Sequence, residues 1–325
     1  MQVTDNVSTG SALLMRMLNG QKAGKAWGQV SGPQILVPIK YVASTVGGWY
    51  SGFDTFSINQ VNTRVNATFK PKQIYFNVGA SGIQVAVNKG PQATIDLLTT
   101  EMGSVATDMW ETLATGLYSD GSGTSSKQLD GLRTAVVSSG TYAGLAPGTY
   151  TTWVSDLDNS SNAITLAEIG ASFEAAAIGA DHPTIIVTTP AINTTIEGLL
   201  MGTISYNNPV PGASREVGTM TKAGVKRGQT GEAGFTTMFF RGVPIVADEK
   251  CPSGYVYLLD ETHLGLATWP YPDFPGYVTK PNYNGFCWTG LKIPTNQDAT
   301  VGQFLYYVQL VTDSRRSHAY MTGKS

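Results

Sequence analysis

Three histidines and two cysteines are the only side chains in this 325-residue chain that ordinarily titrate near neutrality. Acid–base or nucleophilic chemistry needs such a group beside a partner that activates it, and the spacing here supplies none. His182 stands in Asp181-His182-Pro183 ahead of an apolar run, His263 in a turn between two apolar runs, and His318 near the C-terminus. Each reads as a turn or packing residue. Cys251 and Cys287 lie far apart with no ligand pattern around them and read as reduced core thiols. No catalytic residue, cofactor or metal site is expected.

Other chemistry-bearing motifs fail on inspection. Thr322-Gly323-Lys324-Ser325 imitates the end of a phosphate-binding loop, but the first glycine of that motif would fall at His318 and no helix follows. Asp156-Leu157-Asp158-Asn159-Ser160 resembles the opening of a calcium loop, yet Ser161 takes the place of the turn glycine and Ala167 that of the closing acid. The pairs Asp248-Glu249 and Asp260-Glu261 read as solvated turn positions. Lys222, Lys226-Arg227 and Arg315-Arg316 read as interface salt bridges or solvated loops rather than nucleic-acid contacts.

Charge is scarce. Charged residues make up 14% of the chain, against roughly 25% in ordinary soluble domains. An unusual share of the surface must therefore be neutral or buried against another molecule, which points to an obligate assembly. The net charge of -2 provides no basic field for nucleic acid. No run is long and apolar enough to span a membrane, and the N-terminus lacks the pattern of a signal peptide, so synthesis and use in the cytoplasm are expected.

The elements that would position any site begin with residues 1–33, a short apolar stretch among lysines and glycines that reads as an arm packing on something else. Extended segments are expected from Gln34 to Tyr41, with Pro38 marking an edge, and from Asn62 to Val78. Together they make a long two-stranded arm. Between them, Gly47-Gly48-Trp49-Tyr50-Ser51-Gly52-Phe53 puts aromatics near the tip of a hairpin that cannot bury both of its faces. Trp49, Tyr50 and Phe53 are thus candidate intersubunit contacts; the alternative is that both strands lie in an ordinary sheet within one domain.

A long helix is predicted from Asn88 to Tyr118, where Ile95, Leu98, Met102, Val105, Ala106, Met109, Trp110, Leu113 and Leu117 recur at helical steps, with Asn88 as cap and Pro91 in the first turn. A Gly/Ser loop at 121–127 follows. Thr165 and Glu168 form a capping box for a second helix, Thr184–Thr188 is a buried strand, and Pro190 opens a third helix. Strands are expected at Phe235–Phe240, Val243–Val246, Tyr255–Leu259, Leu264–Ala267 and Gln303–Val311, with a proline-rich connector after Trp269.

In this order the elements resemble the HK97-fold major capsid proteins of tailed bacteriophages. The likeness is carried by Phe69–Ile83, Asn88-Lys89-Gly90, Ile95–Leu98, Leu117–Gly121 and Gly131-Leu132-Arg133, and later by Phe240–Asp248, Cys251–Gly254, Tyr257–Asp260 and Arg316–Gly323. The resemblance implies an α+β fold with an N-terminal arm (1–33), an extended β-hairpin loop (34–78), a peripheral domain with a long spine helix (79–150 and 280–310) and an axial α/β domain (151–279 and 311–325). It implies a non-enzymatic structural protein that tiles hexamers and pentamers of itself into an icosahedral shell around double-stranded DNA, without sequence-specific binding. Portal, scaffolding and decoration proteins would be further partners, no membrane would be one, and the shell would be assembled in the host cytoplasm and found in the virion. Lys40, Lys70 and Lys72 lie on the arm, but no paired asparagine or acid is identifiable for the lysine–asparagine links some members form. An encapsulin-like compartment shell is the alternative within the fold; a hydrolase using the 121–127 loop is the alternative outside it.

Overall fold

The computed structural model describes residues 10–22, 28–56, 58–59, 61–87, 91–179, 181–203, 238–269, 281–283 and 286–325, with the backbone alone for 19–22, 85, 91–99, 201–203 and 281–283. Asn88, Lys222, Lys226, Arg227, most of the proline-rich stretch and the start of the Phe235–Phe240 run lie outside the described residues.

Within the N-terminal segment, the described residues 12–17 pack on the body of the same chain. Ala12–Lys22 is a helix, α1, whose Ala12, Leu13, Leu14 and Met17 enter the main core of the same chain. Ser11 caps it by accepting from the Leu14 N–H (3.3 Å). The buried Asp248 carboxylate receives the Ser11 hydroxyl (2.6 Å) and the Leu13 N–H (3.2 Å), a negative charge at the positive end of the helix. Arg16 then forks onto Glu261 (2.5 and 2.9 Å).

Strands β1 (Ile35–Lys40) and β2 (Arg64–Phe69) pair antiparallel, Ile35 opposite Phe69 and Lys40 opposite Arg64. Period-two alternation turns Ile35, Val37, Ile39, Ala67 and Phe69 into the main core and leaves Leu36, Pro38 and Lys40 exposed. The extended run from Asn62 to Val78 is not one strand. Pro71 has no N–H for a ladder, the strand breaks at Lys70-Pro71, and β3 (Lys72–Ser81) joins a different sheet.

Helix α2 (Gly82–Val87), absent from the sequence reading, follows directly, and α3 (Pro91–Leu117) then runs 27 residues, about 40 Å at 1.5 Å per residue. Its stripe serves two cores. Ala106 and Met109, flanked by Met102, Val105 and Trp110, pack on Val78, Phe286 and Phe304, while Leu113, Ala114 and Leu117 enter the main core.

Beyond this helix come β4 (Asp156–Asp158), β5 (Ile185–Thr188), β6 (Met238–Phe240), β7 (Val243–Ala247), β8 (Val256–Leu259), β9 (Leu264–Thr268), β10 (Pro281–Tyr283), β11 (Phe286–Trp288), β12 (Ala299–Thr312) and β13 (Ala319–Met321). Among the described residues they complete two larger sheets. The first has the order β10-β11-β12-β3, with β9 also on β12; the second is mixed, in the order β4-β13-β8-β5-β7-β6. Leu264–Ala267 therefore pairs with the terminal long strand rather than with the strands just before it. The second sheet is buried on both faces. Ile185, Val187, Tyr257 and Leu259 face the main core, whereas Ile186, Val256 and Leu258 meet Ile169 and Phe173 of the helix Leu166–Ala176 and Ile192 and Ile196 of the helix Pro190–Thr203. The expected Thr165–Glu168 capping box is present in both directions.

A charge in the α3 stripe should be graded by depth. Leu113 is 3% exposed and Met102 only partly buried. Leu113→Lys is expected to lower stability by roughly 3 kcal/mol or more and Met102→Asp by less. Denaturant unfolding of the two variants checks this; equal, near-native midpoints would remove the stripe from the core.

Candidate assembly surface

The segment 41–63 leaves the body between β1 and β2 and forms no strand among its described residues. Its base is fixed. Tyr41 packs edge-on against Tyr150 (4.9 Å between centroids), its N–H donates to the Thr63 carbonyl (3.1 Å), its hydroxyl donates to the Asn62 carbonyl (3.0 Å), and its own carbonyl accepts from the Thr152 hydroxyl (3.1 Å). At the far end Ser51–Asp54 is a tight turn. The Asp54 N–H donates to the Ser51 carbonyl (2.9 Å), and the Asp54 carboxylate accepts from the Ser51 N–H (2.6 Å). Phe53 sits in the middle of this turn and is aimed outward by it.

The three residues singled out from the sequence are all in solvent: Trp49 at 104% exposure, Tyr50 at 68% and Phe53 at 106%. Phe56 and Ile58, which sequence reasoning did not name, are exposed with them, and Tyr50 meets Phe56 edge to face at 5.0 Å. Asp54 is the one charged residue between Tyr41 and Val61. A surface this apolar gains free energy only by being covered. Ile83, Val87, Leu291 and Ile293 form further exposed apolar positions around α2 and the Lys292 bridge to β12.

The polar clusters are structural. Arg315, expected in a salt bridge or a solvated loop, is fully buried and pairs with no carboxylate among the described residues. Its guanidinium donates to the carbonyls of Ala135 (2.9 Å), Trp153 (3.0 Å), Val137 (2.6 Å), Thr134 (3.3 Å) and Ser139 (3.5 Å), with its carbon 5.6 Å from the Tyr142 ring centre and 5.9 Å from that of Trp153. Burial draws its pKa down to about 10. Asp248 and Asp260 are likewise buried rather than solvated: the first caps α1, and the second accepts from the Thr262 N–H (2.9 Å) and hydroxyl (2.7 Å). Glu261 receives Arg16 and the Thr184 hydroxyl.

The calcium-loop and phosphate-loop candidates meet each other. Asp156–Asp158 is an edge strand parallel to β13, and the cation beside it is the Lys324 ammonium, whose side chain has no exposed surface. It donates to Ser160 Oγ (2.7 Å), Asn162 Oδ1 (2.9 Å), Asp158 Oδ2 (3.0 Å) and Glu168 Oε1 (3.3 Å). A lysine, an asparagine and a glutamate thus do come together, within one subunit and away from the arm. Hydrogen bonds from Asn162, then Thr165 and Lys324, hold the Glu168 carboxyl down to about 2.

Among the described residues no group of His, Cys, Asp and Glu could hold a metal ion. Both cysteines are buried and unpaired, and burial pushes their thiols up. In the 121–127 loop, Thr124, Ser125 and Ser126 are all left-handed (φ 52°, 55° and 64°). The adjoining cleft, about 190 Å³, is lined by Lys72, Lys127, glutamines, threonines and aliphatic side chains, with no His, Asp, Glu or Cys to activate a hydroxyl.

His318 generates a pH prediction. It is buried and neutral, with Nδ1 accepting from the Asp260 N–H (3.1 Å) and Nε2 against the Thr312 hydroxyl (3.2 Å). Burial first, then the His263 and Arg315 charges, pull its pKa down to about 3. An unfolded histidine takes a proton near pH 6.5, which the folded ring refuses, so this contribution is whole above that pH and is lost as pH falls toward 3. Thermal midpoints should fall over that window, and His318→Gln should flatten the fall. An unchanged slope in the variant would contradict this.

No family model and no curated protein sequence matches the chain. Solved structures do. The chain is 17% identical to a subunit of the cyanophage A-1(L) capsid asymmetric unit, covering 100% of itself and 96% of that chain at a TM-score of 0.70. It is 10% identical to the capsid chain of a native GTA particle (100% and 95% covered, TM-score 0.57). To the SrpI encapsulin complex of Synechococcus elongatus it is 12% identical (100% and 97% covered, TM-score 0.56). Over its whole length, this chain has the HK97 fold of phage capsids and encapsulins.

Proposed function

We propose that this chain is a major capsid protein of the tailed-bacteriophage kind, a structural subunit whose hexamers and pentamers close into an icosahedral shell around double-stranded DNA. The observation that carries this reading is the excursion at 41–63: on a fold shared over its full length with shell proteins, it holds Trp49, Tyr50, Phe53, Phe56 and Ile58 in solvent with no core of its own. A monomer would leave that surface uncovered, and a shell covers it at every subunit. The low share of charged residues supports the same reading.

Within this reading the arm is 1–33, with α1 serving as its clasp on the body, and the extended loop is 34–78. The peripheral part is 79–150 with 280–310, and the axial part is 151–279 with 311–325, β9 being lent to the peripheral sheet. Portal, scaffolding and decoration proteins are the partners this role calls for, and assembly takes place in the host cytoplasm before the shell becomes part of the virion. The likeness to an encapsulin supports a second reading, a compartment shell with a protein cargo.

Electron microscopy of the purified protein is expected to show closed shells, with nucleic acid rather than a cargo enzyme in shells taken from the native source. Replacing residues 46–53 by Asn-Gly keeps a hairpin turn and deletes the aromatics. That variant should fold, by circular dichroism, and fail to assemble. Intact shells from it would sink the intersubunit role, and a wild-type protein that stays a 34.5 kDa monomer at all concentrations would sink the capsid reading.

A further inference from the structure

Resting on that reading, the surface that receives the excursion can be located on the chain itself. The cleft of about 190 Å³ beside the left-handed turn at Thr124–Ser126 has an apolar floor of Ile74, Leu113, Leu129 and Val308, with Lys72 and Lys127 at its mouth. Lys72 is held in place by Asp130 (3.3 Å) and the Ser126 carbonyl (2.8 Å). Lys127 is an exposed residue. The excursion tip is the inverse of this surface: aromatic side chains in solvent around a single carboxylate, Asp54, next to the outward-aimed Phe53. Because Trp49 and Phe53 are wholly exposed, the chain's own tip does not fill its own cleft.

We propose that the cleft between the start of β3, the end of α3 and the 121–128 loop receives Phe53 from a second copy of this chain, with Asp54 of that copy set against Lys127 and Lys72. Apolar contact supplies the drive, and the carboxylate between lysines fixes the orientation of the tip. The left-handed turn then has a role the fold alone does not give it, since its backbone carries the Ser126 carbonyl that holds Lys72 at the mouth.

Two experiments on the full chain test this. A Phe53→Cys, Gln73→Cys double variant places a thiol on the tip and another on the cleft wall, the native cysteines being buried. Mild oxidation of assembled protein should give a ladder of linked chains on a non-reducing gel, absent from either single variant. Separately, Asp54→Lys and Lys127→Glu should each raise the protein concentration needed for assembly about threefold or more, as like charges meet. The Asp54→Lys, Lys127→Glu pair should recover it. Shells that form normally but give neither ladder nor recovery would place the receiving surface elsewhere and overturn this proposal while leaving the capsid reading intact. A wild-type chain that forms no shells would overturn both.

Discussion

Burial of one face of the β1–β2 ribbon is the interaction on which the rest of the molecule depends. Two strands alone cannot stay folded in water. Here Ile35, Val37, Ile39, Ala67 and Phe69 seat the ribbon on the main core, where Phe69 meets Tyr142 edge to face at 5.5 Å. With its root fixed in this way, the chain can carry a 41–63 excursion whose Trp49, Tyr50, Phe53, Phe56 and Ile58 are exposed. Tyr41 on Tyr150 stops the ribbon from fraying where it leaves the body. The aromatics beyond that point are therefore displayed rather than merely unfolded.

Such a display is useful only if the body is stiff, and its two sheets are locked where the chain crosses between them. One crossing is the 260–263 turn from β8 to β9, and the other is 313–318 from β12 to β13. His263 Nδ1 meets Asp313 Oδ1 at 2.7 Å, and His318 bridges Asp260 and Thr312. Arg315 extends the lock to residues 134–153 by donating to the carbonyls of Ala135, Trp153 and Val137. On the far side of the axial sheet, Lys324 ties the last residues to β4 and to the cap of the helix Leu166–Ala176. Charged groups that looked like chemistry in the sequence are thus donors and acceptors for backbone and cap groups in the folded chain.

What the sequence made legible was local and periodic. The α3 stripe, the Thr165–Glu168 box, the alternation in β1 and the unburied aromatics at 49–53 each follow from neighbours within a few residues, and each element formed. What stayed hidden depended on partners far along the chain. The destination of α1 hinges on Asp248 and Glu261, more than two hundred residues away. The break at Lys70-Pro71 could have been read from Pro71, whose missing N–H cannot serve a continuous ladder. The three-residue strands β4 and β13 are too short to show a period, and form because β13 pairs with β8 on one side and β4 with β13 on the other. The fates of Asp158, Arg315 and Lys324 could not be read from spacing, since a buried charge is settled by the groups that surround it in space.

The central claim is that Trp49, Tyr50, Phe53, Phe56 and Ile58 are exposed in a lone subunit and covered in the assembly. Hydroxyl-radical footprinting of the same protein, dissociated and assembled, measures this side chain by side chain. Trp49, Tyr50, Phe53 and Phe56 should be oxidised readily in dissociated subunits and strongly protected in assembled particles, while an exposed residue elsewhere on the chain, such as Phe239, serves as a control. Equal oxidation of the four aromatics in both states would contradict the assignment of this excursion to the subunit interface.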